Sequence, residues 1–236
     1  MRKILAESSI KPGTVRIYNS AEKIIDWLRW ADDDYIAARQ LLLGDLLVQG
    51  AGLSNTAIEK YLKTILWTKD PPAPKGHDLV WLFERLKKKG IVLNLRKNYL
   101  ALLFKLYRLR YPDELEKGFG VAIDRTRMLT ELDRSVFEIR KGFEIVGPFG
   151  RLGSTIEELL AKRDDRLLNR NCYFGEAMRA DLFAETCPRY ALRVLQPRQL
   201  VWATYETYGV PDEPNFKAEF AVAFSDNRMD AHLPLE

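Results

Sequence analysis

From Ile24 onward the apolar residues step alternately by four and three: Ile24, Leu28, Ala31, Tyr35, Ala38 and Leu42. Such a rhythm lays all of them along one face of a helix, as in helices packed side by side in a bundle. It returns in Leu95, Tyr99, Leu102, Leu106 and Leu109. A half-buried strand needs a period of two instead, so the first half of the chain is expected to be helical.

Breakers and caps divide this half into five helices. The first is expected from about Ser20 to Leu43, with Asn19 as N-cap and Glu22 as its capping-box partner. Residues 1–19 before it read as an arm, in which Thr14-Val15-Arg16-Ile17-Tyr18 alternates like a short strand. Ser54 caps a second helix over roughly 55–68, carrying Ile58, Leu62 and Ile65. Gly44, Gly50 and Gly52 interrupt any simple continuation from the first helix, leaving Leu46-Leu47-Val48 as a turn or connection. Pro71, Pro72 and Pro74 exclude helix beyond it. A third helix starts at His77 or Asp78, buries Leu79, Leu82, Phe83 and Leu86, and stops at Gly90. The fourth runs over about 94–110 until Pro112 ends it, and the fifth, over about 121–143, carries Leu129, Leu132, Val136 and Ile139.

Gly147, Pro148, Gly150 and Gly153 then form a break. It divides the chain into the arm (1–19), a bundle (20–146) and a C-terminal annex (150–236). In the annex, Ser154 and Glu157 make a capping box that opens a helix to about Leu168. Residues 200–205 and 216–222 read as two strands of a hairpin around Gly209, Pro211 and Pro214. The expected fold class is mainly α: an antiparallel four- or five-helix bundle with a small mixed α+β annex.

Composition excludes more than it assigns. A net charge of +4 does not by itself identify a nucleic-acid binder. Cys172 and Cys187 stand apart, without the CxxC spacing of a structural zinc site. There is no P-loop, GxGxxG or GxSxG, so neither metal nor cofactor is expected. Residues 1–7 are basic without an apolar segment behind them, and no apolar run would span a bilayer. A cytoplasmic protein with no membrane contact is the expectation.

Charge is distributed unevenly. Between Arg85 and Tyr111 there are nine basic residues, Arg85, Lys87, Lys88, Lys89, Arg96, Lys97, Lys105, Arg108 and Arg110, and no Asp or Glu. Tyr99, Tyr107 and Tyr111 are interleaved with them. Such a surface is a solvated face over core tyrosines, a phosphate or RNA surface with stacking rings, or a dock for an acidic protein. Glu59 and Lys63 have the i,i+4 spacing of a helix-surface ion pair, while Lys60 and Lys63 are equally able to face phosphate. Asp78 suits a helix N-cap, and His77 beside it is a candidate because helix N-termini bind anions. Arg108 and Arg110 flank the Pro112 stop either as helix C-terminal cations or as a fork for phosphate. Asp32-Asp33-Asp34 point about 100° apart on a helix, so they cannot converge on one metal; they read first as a solvated face and next as a cross-helix contact with Lys or Arg.

Three words carry a family resemblance: Ala57-Ile58-Glu59-Lys60-Tyr61-Leu62-Lys63, then Gly76-His77-Asp78-Leu79, then Arg110-Tyr111-Pro112-Asp113. In this order they resemble the HEPN domain family over about residues 20–143, and more narrowly the branch found beside nucleotidyltransferases. Residues 150–236 resemble no family. The resemblance implies a helical bundle that commonly forms homodimers. It also implies a protein that binds nucleotides or RNA, supports a nucleotidyltransferase, or cleaves RNA as a toxin or defence effector. Cleaving members carry Arg, four to six residues, then His. Here those positions hold Asp70, Pro71 and Pro72 before His77, and Ser225, Asp226 and Asn227 before His232. Arg228 precedes His232 with only three residues between them and lies outside the bundle.

The expectation is therefore a non-catalytic, dimeric protein that binds nucleotide or RNA phosphates. Its partner would be a nucleotidyltransferase or a toxin–antitoxin system. The candidate ligand-binding residues are Lys60, Lys63, His77, Lys97, Lys105, Arg108, Arg110 and Tyr111. The alternatives are a divergent ribonuclease toxin and an assembly module that docks an acidic protein.

Overall fold

The computed structural model describes residues 21–69, 74–142, 146–147, 150–151, 153–196 and 199–207. The expected arm strand, the Asn19 cap and the strand over 216–222 lie outside these residues. Five helices make the bundle: α1 (Ala21–Leu43), α2 (Leu47–Lys69), α3 (Leu79–Lys88), α4 (Lys97–Tyr107) and α5 (Arg125–Lys141). The central one is α2, which packs against each of the others. The stepped apolar residues of α1, from Ile24 to Leu42, are all buried, as are Tyr99, Leu102 and Leu106 of α4.

Helix α2 begins well before the expected start and absorbs Gly50 and Gly52. The reason is a close helix crossing. A Cβ on Gly50 would stand 2.7 Å from Leu42 Cγ, so the bare backbone is what lets α1 and α2 approach. Asp45 makes the tight turn between them with φ of 62°. Ser54 is accordingly no cap; its hydroxyl donates to the Gly50 carbonyl at 2.8 Å inside the helix. Asp78 does cap α3, accepting from the amides of Val80 and Trp81 at 2.9 and 3.0 Å. Helix α4 starts later than expected and tightens into a 3-10 turn over Arg108–Arg110 before Pro112.

The expected start of the fifth helix is instead strand β1 (Gly120–Asp124). Val121, Ala122 and Ile123 are all buried, which is how a strand covered on both faces reads. Its antiparallel partner is β4 (Cys187–Gln196), with Ala122 opposite Ala191. Strand β5 (Gln199–Thr207) contains the expected 200–205 strand and pairs antiparallel with β4, giving the sheet order β1-β4-β5. A two-residue pair, β2 (Val146–Gly147) and β3 (Gly150–Arg151), follows α5. The Ser154–Glu157 capping box forms, with the Ser154 amide donating to Glu157 at 2.9 Å. The helix it opens is split into α6 (Thr155–Ala161) and α7 (Asp165–Leu168) by Arg163, whose φ is 50°. A short α8 (Arg179–Ala184) precedes β4. No helix among the described residues is long and apolar enough to cross a membrane.

One hydrophobic core runs through both halves of the chain: Ile156, Leu159, Leu167, Leu192 and Val194 are packed into it with the bundle residues. Two buried carboxylates fix this union. Asp133 on α5 pairs with the fully buried Arg39 of α1 and accepts from Tyr35 Oη at 2.8 Å. Arg39 also donates to the carbonyls of Asn169 and Arg166, at 2.5 and 3.3 Å. Asn171 adds a bond to Tyr35 Oη at 3.2 Å. The second carboxylate corrects the solvated reading of the acidic triplet. Asp32 is buried; it takes the Tyr61 hydroxyl, Ser154 Oγ at 2.5 Å and the Ile156 amide at 3.1 Å. Asp33 bonds Thr155 Oγ1 at 3.0 Å and Asp34 pairs with Lys60 at 2.7 Å, so the three acids serve three different neighbours.

Truncating Asp133 to alanine leaves Arg39 buried without its counter-charge, which costs about 3–5 kcal/mol. Urea unfolding of Asp133→Ala is expected to show that loss; a change below about 1 kcal/mol would mean the pair is not the tie described.

Candidate functional site

The words that carried the resemblance meet at one end of the bundle, where α3 begins and α4 ends. Glu59 and Lys63 lie one turn apart on α2, and Lys63 Nζ donates to Glu59 Oε1 at 2.7 Å. Asp78 caps α3, and one residue stands directly before it at the head of that helix. That residue, His77, brings Nδ1 to 2.9 and 3.1 Å from the two Glu59 oxygens. A carboxylate only accepts, so Nδ1 is the donor, and in the neutral ring Nε2 is the acceptor. The imidazole stacks on Tyr107 of α4, with centroids 5.5 Å apart and planes 18° from parallel. Arg110 lies over the same Tyr107 ring at 5.0 Å.

One helical step away is a second cluster. Lys105 and Arg108, three residues apart, both sit over the Phe119 ring, at 5.1 and 5.7 Å. Burial, and then the Arg108 charge, hold the Lys105 ammonium below its ordinary value of 10.5. Arg108 also reaches the Glu114 carbonyl at 3.5 Å. Among the described residues no carboxylate pairs with Lys105, Arg108 or Arg110; their neighbours are rings and a carbonyl. Cations at a helix C-terminus are favourable in themselves, but that leaves their outward donors free. Tyr111 follows, 49% exposed.

The remaining candidates are already engaged elsewhere. Lys60 is held by Asp34. Lys97 pairs with Glu84 at 3.3 Å, which also draws Lys87 to 3.7 Å; along α4 it stands about 12 Å from Lys105. Arg96 pairs with Glu131 at 2.7 Å and Arg85 lies over Trp81 at 5.4 Å. The structure therefore brings together Lys63, His77 and Arg110 through Glu59 and Tyr107, sets Lys105 and Arg108 on Phe119 nearby, and gives Lys60 and Lys97 separate acidic partners. Reading the sequence overlooked Phe119 as a platform and Glu59 as a shared acceptor. The i,i+4 spacing announces Lys63, but nothing local announces that His77 returns to the same carboxylate from the far side of a proline-rich connection.

The HEPN domain family model matches residues 24–139. Residues 24–139 form a HEPN domain. The HEPN match begins in α1 and ends in α5, so it spans the five bundle helices and β1 and leaves α6 to β5 outside. No curated protein matches the chain, and no solved structure does.

The Glu59 contact dictates the tautomer of His77. Long-range proton–nitrogen NMR correlations of the neutral imidazole are expected to show its proton on Nδ1, and Glu59→Ala is expected to release that preference. A neutral ring with its proton on Nε2 in the unmutated protein would contradict the arrangement.

Proposed function

We propose that this HEPN protein binds the phosphates of a nucleotide or of RNA at the end of α4, with Lys105, Arg108 and Arg110 as the gripping groups. The observation that carries the reading is that these three cations rest on aromatic rings and have no carboxylate partner among the described residues. Guanidinium groups present forked donors that suit phosphate oxygens, and exposed aromatic surface such as Tyr111 suits stacked bases. Lys60, Lys63 and Lys97 must first leave an acid to join in, so they contribute less. A homodimeric, cytoplasmic protein working beside a nucleotidyltransferase, as in a toxin–antitoxin pair, is the cellular setting that kinship with the HEPN family supports.

Binding of a short single-stranded RNA or of ATP is expected to weaken steeply with salt. Arg108→Ala and Lys105→Ala are each expected to lower affinity several-fold and to flatten the salt dependence, whereas Lys97→Ala changes little. Equal losses in all three variants, or no binding at low salt, would reject the assignment.

A second reading has one observation in its favour. A half-exposed histidine oriented through one nitrogen by a largely buried carboxylate is the arrangement of a general base. That supports a divergent ribonuclease in which His77, held by Glu59, stands in for the missing Arg–His motif. Total RNA incubated with the protein decides it: cleavage that disappears in His77→Ala favours the enzyme, and intact RNA rejects it.

A further inference from the structure

We infer that the outer face of His77 is a stacking site for a nucleobase, so that the ligand at the end of α4 is a nucleotide or single-stranded RNA rather than a bare polyphosphate. This inference rests on the phosphate reading above and adds to it the part of the ligand that is not phosphate.

The argument starts from how the ring is held. A base-stacking platform must be flat, ordered and open on one side. The imidazole of His77 is ordered from two directions: Nδ1 is fixed to Glu59 at 2.9 and 3.1 Å, and one ring face lies on Tyr107. Glu59 in turn is held by Lys63 and is itself buried. The side chain of His77 is nevertheless 56% exposed. With Tyr107 stacked on one face, the face open to a base is the opposite one.

The surroundings fit the rest of a nucleotide. Tyr107, which backs the imidazole, also carries Arg110, and the neighbouring turn of α4 presents Lys105 and Arg108. Tyr107 thus links the His77 ring to Arg110, and Lys105 and Arg108 lie within one turn of it at the same helix end, the three cations having no acid partner among the described residues. In the neutral ring Nε2 offers one acceptor at the platform's edge, suited to the hydroxyls of a ribose or the amino group of a base.

Calorimetric titration of the full chain with ATP and, separately, with inorganic tripolyphosphate tests this. His77→Ala is expected to weaken ATP about tenfold, the order of one lost base stack, and to leave tripolyphosphate within about twofold. His77→Phe keeps a flat ring without the Glu59 bond and is expected to restore ATP binding. Arg108→Ala is expected to weaken both ligands alike. Equal loss of ATP and tripolyphosphate in His77→Ala, or a His77→Phe variant as weak as His77→Ala, overturns the stacking site and leaves the phosphate site standing. Failure of the unmutated protein to bind either ligand overturns both.

Discussion

Arg39 is the group on which the rest of the architecture depends. It is fully buried on α1, and a guanidinium in that position is tolerable only if its donors are all used. One side meets Asp133 on α5; the other meets the carbonyls of Arg166 and Asn169 around α7. A single side chain thus sets the spacing of two bundle helices and anchors the segment that follows the bundle. Asp32, one and a half to two turns earlier, repeats the device with Tyr61 of α2 and with the start of α6. Buried charge of this kind adds little net stability, but each partner makes the wrong arrangement costly, so it fixes geometry.

These ties have a consequence for the site. They draw α6 and α7 onto α1, away from the place where α3 starts and α4 ends. On that other side α2 presents Glu59 to His77, and α4 presents Tyr107, Lys105 and the turn with Arg108 and Arg110. Electrostatics there sorts cations instead of pooling them. Most of the basic residues between Arg85 and Tyr111 that lie near an acid are spent on ion pairs, such as Lys97 with Glu84 and Arg96 with Glu131. Those at the end of α4 are spent on rings, where a cation–π contact leaves the hydrogen-bond donors available.

The bundle was legible because its cause is local: a period near 3.5, caps at Asp78 and Ser154, and stops at Gly90 and Pro112 all lie within a few residues of what they determine. Where the sequence misled, the deciding contact was distant. Gly50 reads as a helix breaker until Leu42 of the neighbouring helix is seen against it. Val121-Ala122-Ile123 fits a helix or a strand equally well, and β4, some seventy residues on, decides it. Asp32 reads as a solvated acid because its partners come from α2 and from beyond residue 150. At the site, the basic run and its tyrosines were evident, but which cations remained uncommitted depended on where Glu84, Asp34 and Phe119 come to lie. The HEPN words meet at one end of the bundle, and nothing in them reveals that two of them close on one carboxylate.

If Arg39 and Asp32 truly weld the later segments to the bundle, the two regions open together. Native-state hydrogen exchange reads this directly, by comparing the Ile156 amide, which donates to Asp32, and the Phe174 amide, which donates to Asn171 at 3.0 Å, with core amides of α1 and α5. Matching opening free energies, falling together in denaturant, are the predicted result. Exchange at Ile156 and Phe174 through a much cheaper opening that leaves α1 and α5 protected would show two independent units and contradict the role given to the buried charges.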